Sequence, residues 1–166
     1  AAGIMIKEKT GENAINVVTG AGGTIDEKMI DDCLPSIKKS KIFLTQLETP
    51  KDATFYALKK AKECGATTIL NPAPASAFSK DFFRLIDFFT PNETEASFYL
   101  NKNIESEKDC REAGTEFLDM GVKNIVITLG DKGCFFKNEN EELLIPAKQL
   151  NNTVIDATGA SDACNG

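Results

Sequence analysis

A regular alternation of short apolar runs with amphipathic helical segments dominates residues 42–128 and constrains the fold more than any other feature. The apolar runs at 42–45, 67–70, 87–90 and 125–128 have the length of buried strands. The run 125–128, Ile-Val-Ile-Thr, is continuously β-branched, which is typical of a strand covered on both faces. Because strands joined by helices lie parallel in one sheet, the alternation predicts an α/β fold with a parallel central sheet.

Helices are predicted wherever apolar residues recur with a period of 3.6. The first helical segment spans 24–37, with Thr24 or Asp26 as its cap and a bend at Pro35. The later segments are 52–64 ending before Gly65, a short one near 79–85, one that begins at Asn92, and 105–120 ending at Gly121.

Two β-hairpins are predicted outside the alternating region. One joins residues 3–6 to 14–18, and the other joins 133–137 to 143–145. The chain contains no internal repeat, low-complexity tract or linker. Its 166 residues, 42% of them hydrophobic, suffice for one domain with a single core.

The charge distribution argues against large anionic partners. The net charge is −6 and the pI is about 4.8, with Lys and Arg scattered rather than clustered. We therefore expect small-molecule partners, with no nucleic acid and no membrane. No apolar stretch approaches the roughly 18 residues of a membrane span, so we expect a soluble protein. The Cys pattern, which favours reduced thiols, leads us to expect a cytoplasmic one.

Histidine and cysteine content narrows the chemistry further. The chain has no His, which excludes His-dependent triads, His-ligated metals and His general bases. Its five Cys are odd in number, widely spaced and never in a C-x-x-C pair, which argues against a disulfide framework and a zinc site.

The C-terminal segment carries the strongest chemical signal. An apolar stretch at 153–155 leads into Gly159, Ala160 and Ser161, which Asp162 follows directly. Small residues at the start of a helix let backbone N–H groups form a nest for an anion, and the helix dipole favours negative charge there. An Asp beside such a nest is a poor phosphate ligand but a good acceptor for a hydroxyl proton. The segment therefore indicates phosphoryl transfer to an alcohol.

Two loops at predicted strand ends allow both structural and functional interpretations. Asn92 with Glu95 fits a capping box, which we favour, although a carboxylate at this edge of a parallel sheet also suits Mg²⁺ beside nucleotide phosphates. Residues 128–133 fit a hairpin turn and a phosphate-holding loop equally well.

Three further motifs are weaker. Glu48 lies at a predicted strand end, where its carboxylate is either simply solvated or accepts hydrogen bonds from sugar hydroxyls. Residues 71–75, Asn-Pro-Ala-Pro-Ala, predict a stiff extended loop. Residues 20–23 are interpreted as a turn rather than a dinucleotide fingerprint, and there is no P-loop motif.

Five motifs, in this order along the chain, resemble those of the ribokinase-like family of sugar kinases. They are Gln46-Leu-Glu48, Asn71-Pro-Ala-Pro-Ala75, Thr90-Pro-Asn-Glu-Thr-Glu-Ala96, Val126-Ile-Thr-Leu-Gly130 and Asp156-Ala-Thr-Gly-Ala-Ser-Asp162. The resemblance covers essentially the whole chain. It implies a three-layer α/β/α fold with a mainly parallel central sheet, and a partial kinase domain over 1–166 in which about 1–20 form part of a small β lid.

The resemblance also implies an activity, the ATP-dependent phosphorylation of the 5-hydroxyl of ribose. Asp162 matches the family's catalytic base, which also binds the sugar, and the backbone amides of Gly159, Ala160, Ser161 and Asp162 match its anion hole. This division suits phosphoryl transfer, in which positioning and charge stabilisation do most of the work. Glu48 matches a sugar-contacting position.

Nucleotide and metal positions follow from the same resemblance. Asn92 matches a nucleotide contact, and Glu95 matches the acid that organises Mg²⁺ through water. The residues that match the nucleotide-phosphate loop are Thr128, Gly130, Asp131, Lys132 and Gly133. Asp156 and the carbonyl of Thr158 match part of a monovalent-cation site, for K⁺. The family usually has Gly where Ser161 stands, so this side chain would lie beside the γ-phosphate.

The opening hairpin resembles part of the lid that covers the sugar and mediates dimerisation, which implies a homodimer. Relative to the family, the chain corresponds to a central portion without the N-terminal strands and the adenine-binding segments, so we expect little or no activity from it alone. Other hypotheses stay open: a non-catalytic nucleotide- or sugar-binding module, a structural fragment, or a kinase for another sugar or a nucleoside.

Overall fold

The computed structural model describes residues 2–6, 13–148 and 158–166. Strands β1 (Ala2–Ile6) and β2 (Asn13–Val17) form a separate antiparallel sheet, in which Ala2 pairs with Val17 and Ile6 with Asn13. This confirms the predicted opening hairpin. Its turn lies outside the described residues.

A six-stranded sheet forms the centre of the molecule. Its strands are β3 (Ile42–Thr45), β4 (Thr67–Leu70), β5 (Phe88–Phe89), β6 (Asn124–Thr128), β7 (Cys134–Asn138) and β8 (Glu142–Ile145). They stand in the order β3-β4-β5-β6-β7-β8, with parallel pairing from β3 to β6 and antiparallel pairing from β6 to β8. The predicted parallel sheet and second hairpin are confirmed.

The helices differ from prediction in two places. They are α1 (Glu27–Asp32), α2 (Leu34–Ile37), α3 (Lys51–Glu63), α4 (Glu93–Leu100), α5 (Glu107–Met120) and α6 (Ala160–Asn165). The single helix predicted over 24–37 is two helices, because Pro35 lies in the first turn of α2, where its missing N–H costs nothing. Asp26 is the cap of α1 and accepts a hydrogen bond from the Met29 amide at 2.9 Å. The segment predicted near 79–85 is a 3-10 turn, Lys80–Leu85.

One face of the sheet carries the main core. Leu58 of α3 and Phe117 of α5 pack there in one cluster with Phe89, Ile125 and Ile127, and all five side chains are fully buried. Alternation along the strands sends every second side chain to the opposite face.

That opposite face is only partly covered by the described residues. Ile42 and Leu44 are 60% and 44% exposed, and Val126 is half-buried. The expectation that residues 125–128 are covered on both faces is therefore met on one face only. Helix α6 alone among the described helices lies near the second face, at the carboxyl edge of the strands.

An ionic cluster around a buried carboxylate closes the amino edge of the sheet. The Asp87 carboxylate accepts hydrogen bonds from Lys123 at 2.7 Å, from Lys62 at 3.0 Å and from the amide and hydroxyl of Thr68 at 3.0 Å. Burial alone would raise the pKa of Asp87, but the hydrogen bonds from Lys123, Thr68 and Lys62 hold it well below its usual range.

No helix in the described part of the chain combines the length and the apolar character that a bilayer crossing requires.

Candidate active site

The loops that leave the parallel strands are held side by side at the carboxyl edge of the sheet. Backbone hydrogen bonds continue the ladder beyond the strands: Asn71 N–H donates to the Thr45 carbonyl at 3.0 Å, and Thr128 N–H donates to the Pro91 carbonyl at 2.9 Å. Asn92 and Thr128 form an isolated parallel bridge. These bonds bring together loops that are far apart in the sequence.

Asn92 and Glu95 form the predicted capping box at the start of α4. The Asn92 Oδ1 atom accepts from the Glu95 amide at 2.8 Å, and Glu95 Oε2 accepts from the Asn92 amide at 2.9 Å. Burial raises the pKa of Glu95, while the Asn92 amide acts in the opposite direction. The structural interpretation of this pair is confirmed, and the role of Glu95 toward Mg²⁺ stays a prediction.

A cavity of about 550 Å³ lies between the start of α4, the loop after β6 and α6. Among the predicted residues, Asn92, Thr128, Gly130, Gly133, Ala160 and Ser161 line it. We call it the nucleotide-side cavity. Glu93 and Thr94 also line it, and sequence reasoning had treated them only as parts of a capping motif.

The loop after β6 folds as a 3-10 turn, Gly130–Lys132. Asp131 and Lys132 lie in this turn but do not line the nucleotide-side cavity. The Lys132 ammonium lies 3.8 Å from a Glu93 carboxylate oxygen, so its charge faces the start of α4. Gly133 closes the turn, and its carbonyl accepts a hydrogen bond from the Leu129 amide at 2.9 Å.

A second cavity, of about 340 Å³, lies between the ends of β3 and β4 and the other side of α6. We call it the acceptor-side cavity. Gln46, Asn71, Asp162 and Asn165 provide its polar lining, together with Leu44 and Thr45. The Gln46 Nε2 atom donates to Asp162 Oδ1 at 3.3 Å. This amide therefore restrains one carboxylate oxygen of the predicted base.

Helix α6 separates the two cavities. Gly159, with a φ of +80°, precedes the helix, and Ala160 and Ser161 face one cavity while Asp162 faces the other. Asn165 anchors the helix, because its Oδ1 atom accepts from the Thr90 hydroxyl at 2.6 Å. The first amides of a helix have no carbonyl partner within the helix, which leaves them able to bind an anion.

Three of the predicted site residues lie away from the two cavities, outside the described residues, or next to the undescribed segment. Glu48 is exposed in the loop after β3 and does not line the acceptor-side cavity. Asp156 lies outside the described residues, so its predicted role in binding K⁺ is untested, and Thr158 is described and exposed.

The loop at residues 71–75 is held firmly, as its two prolines predict. Its Ala73 carbonyl accepts from the Leu47 amide at 3.0 Å, which ties it to the loop after β3. Beyond it, the Tyr99 hydroxyl donates to the Ser76 carbonyl at 3.1 Å. Burial raises the pKa of Tyr99 to about 12, so this hydroxyl remains a donor at neutral pH.

Comparisons with known proteins agree with this geometry. The family model described as pfkB family carbohydrate kinase matches residues 1–166, and the chain belongs to this family. It is 36% identical over 152 residues to a ribokinase of Staphylococcus aureus, covering 92% of this chain and 49% of the relative. It is 31% identical over 152 residues to a deoxyribokinase of Salmonella typhi, covering 91% of this chain and 49% of the relative.

A solved structure shows the same likeness. The structure of Arabidopsis thaliana ribokinase complexed with ribose and ATP superposes with a TM-score of 0.87 at 28% identity, over 99% of this chain and 53% of the plant protein. The fold is therefore the three-layer α/β/α fold of ribokinases, and α6 is the described part of its third layer. The chain spans about half the length of the curated relatives it matches.

Proposed function

We propose that the full-length protein containing this chain transfers the γ-phosphoryl group of ATP to the 5-hydroxyl of D-ribose and forms ribose 5-phosphate. One observation carries this proposal: α6 stands between two cavities, with Asp162 facing one and Ala160 and Ser161 facing the other. A phosphoryl transferase needs such an arrangement, because the donor and the acceptor must approach the transferred group from opposite sides.

Each side of the helix start then has a defined task. Asp162 accepts the proton of the sugar hydroxyl, and Gln46 holds its Oδ1 atom. The amides of residues 159–162 stabilise the charge on the transferred group, with the Ser161 side chain beside it. Asn92, Thr128, Gly130 and Gly133, which line the nucleotide-side cavity, hold the nucleotide phosphates.

The charged residues near the nucleotide-side cavity fit Mg²⁺. This ion binds proteins through one or two carboxylates and completes its shell with waters and substrate phosphates. Glu93 lines the cavity, and Glu95 lies on the same first turn of α4. Among the described residues no group of three or more Cys, Asp or Glu side chains could hold an ion alone, which suits a metal delivered with ATP.

The remaining expectations extend the same proposal. Asp156 and Thr158 bind a monovalent cation, K⁺, that orders the start of α6. The hairpin of β1 and β2 belongs to a lid of the acceptor site and contributes to a homodimer. The protein works in the cytoplasm.

An ATP-consumption assay with ribose on the full-length protein tests the function. Asp162→Asn should lower kcat by about 10²–10⁴-fold, the usual contribution of a general base, without a matching change in ATP affinity. Asp119→Asn, at the end of α5 away from both cavities, is the matched control and should retain wild-type turnover. Ribose phosphorylation that persists at the wild-type rate in Asp162→Asn would contradict the assignment of the base.

A second acceptor deserves a direct comparison, because one relative of similar coverage is a deoxyribokinase. Deoxyribose and ribose should therefore be assayed side by side. A kcat/KM for deoxyribose that exceeds the value for ribose would transfer the proposal to that sugar. Calorimetric binding of sugar and ATP without turnover would instead favour a non-catalytic binding module.

A further inference from the structure

Asn71 is a buried amide without a complete set of partners. Its residue is 2% exposed, yet its Nδ2 atom has no hydrogen-bond partner in the described part of the chain. A buried donor that stays unpaired destabilises the folded protein. Such a group calls for a partner, and a ligand bound in a neighbouring cavity is one that could supply it.

The backbone fixes where this amide lies. The Asn71 N–H bonds to the Thr45 carbonyl at 3.0 Å, which continues the parallel pairing of β3 and β4 by one residue. Leu70 belongs to the helix-covered core, so strand alternation directs Asn71 to the other face, where α6 lies. Asn71 accordingly lines the acceptor-side cavity together with Gln46 and Asp162.

The lining of this cavity selects the class of ligand. It combines amides and a hydroxyl with one carboxylate, and none of the described residues that line it is Lys or Arg. Without a cation, an anionic ligand such as a phosphate has nothing to neutralise it, whereas a neutral polyol suits the mixed donors and acceptors. A hydroxyl group both donates and accepts, so one sugar can serve Asp162 and an amide donor at once. A volume of about 340 Å³ lies in the range of small-molecule sites.

We propose that Asn71 is a sugar-binding residue, whose side-chain amide donates a hydrogen bond to a hydroxyl or ring oxygen of the acceptor in the cavity that it shares with Asp162. This inference rests on the proposed function, and it assigns Asn71 to the acceptor rather than to the nucleotide.

The test measures ribose and ATP separately on the full-length protein. Asn71→Leu keeps the branching of the side chain at Cγ and removes the donor, so the KM for ribose and its calorimetric Kd should rise about 3- to 10-fold, the effect of one neutral hydrogen bond. The KM for ATP should stay within twofold of the wild-type value. Asn71→Ser, which retains a donor, should recover part of the ribose affinity and decides the question if Asn71→Leu fails to fold.

Thr68→Val controls for lost stability. Thr68 is equally buried in the same strand but bonds to Asp87 at the opposite edge, so its substitution should lower the melting temperature without changing the KM for ribose. A wild-type protein that neither binds nor phosphorylates ribose would overturn the proposed function itself. If the wild-type protein binds and phosphorylates ribose but the Asn71 variants have unchanged ribose affinity, only the role of Asn71 is overturned. Its amide would then bind another protein segment or a water molecule.

Discussion

Gly133 is the most demanding backbone position in the loop beside the nucleotide-side cavity. Its φ of +107° and ψ of −131° lie in a region that side chains strongly disfavour. A Cβ atom added there would overlap the Ile145 carbonyl oxygen and lie 2.6 Å from the Ala147 amide nitrogen. Gly133→Ala therefore forces the end of β8 away from this loop.

The cost follows from the contacts that the movement breaks. The unfavourable φ and ψ alone cost about 1–3 kcal/mol. The displaced backbone also loses the bond from the Leu129 amide to the Gly133 carbonyl, at 2.9 Å, and the bond from the Ala147 amide to the Lys132 carbonyl, at 3.3 Å. Each contributes about 1 kcal/mol. We expect Gly133→Ala to lower the free energy of unfolding by about 4 kcal/mol, a large part of the 5–15 kcal/mol of a typical domain.

Gly130→Ala provides the matched control, because Gly130 lies in the same turn with a φ of +58° and no atom within 4 Å of an added Cβ. Only left-handed strain remains there, about 1 kcal/mol. Equilibrium urea unfolding of the full-length protein measures both variants, and the KM for ATP should rise more in Gly133→Ala. Equal losses of stability in the two variants would refute the steric argument.

Two further changes test the ionic cluster and the proposed base. Asp87→Asn should lower the free energy of unfolding by about 2 kcal/mol at pH 7, because Lys62 and Thr68 lose a charged hydrogen-bond acceptor while the exposed Lys123 loses little. Because folding depresses the pKa of Asp87, the extra stability of the wild type over Asp87→Asn is fully present above the unfolded pKa near 4 and declines as the pH falls below that value. Urea titrations from pH 7 to pH 3 should therefore show the free energies of unfolding of the two proteins approaching each other. Gln46→Leu should lower kcat about tenfold at unchanged ATP KM, because it frees the Asp162 carboxylate, and steady-state kinetics that show an equal loss of ATP affinity would contradict this.

The sheet could be predicted because its information is local. Each parallel strand is a short apolar run next to a helix with an independent apolar period, and each run is found in the sheet. The misjudged elements are those where local preference is weak. Residues 80–85 form a 3-10 turn, which periodicity in so short a segment does not distinguish from an α-helix, and Pro35 lies in the first turn of a second helix.

The site could be predicted in part, for a different reason. Asn92 follows β5 and Thr128 ends the neighbouring strand β6, so the topology alone brings them together. The contact between Gln46 and Asp162 joins residues 116 positions apart, and its geometry depends on where α6 packs. Asn71 was interpreted as part of a stiff loop because its burial becomes visible only when β3, β4 and α6 are assembled. In the motif Gln46-Leu-Glu48, the resemblance indicated Glu48 as the sugar contact, whereas Gln46 is the residue that contacts the Asp162 carboxylate.

Agreement between strand order and chain order has a consequence for how the protein acquires its structure. From β4 to β8, each strand pairs with the strand that precedes it in the chain, so the described sheet is assembled from neighbours in sequence. Pairing two consecutive strands closes only the one connection between them, so the entropic cost of each pairing is small. Helix α6 follows all six strands in the chain, so both proposed ligand-binding cavities depend on a segment that is made after the described sheet.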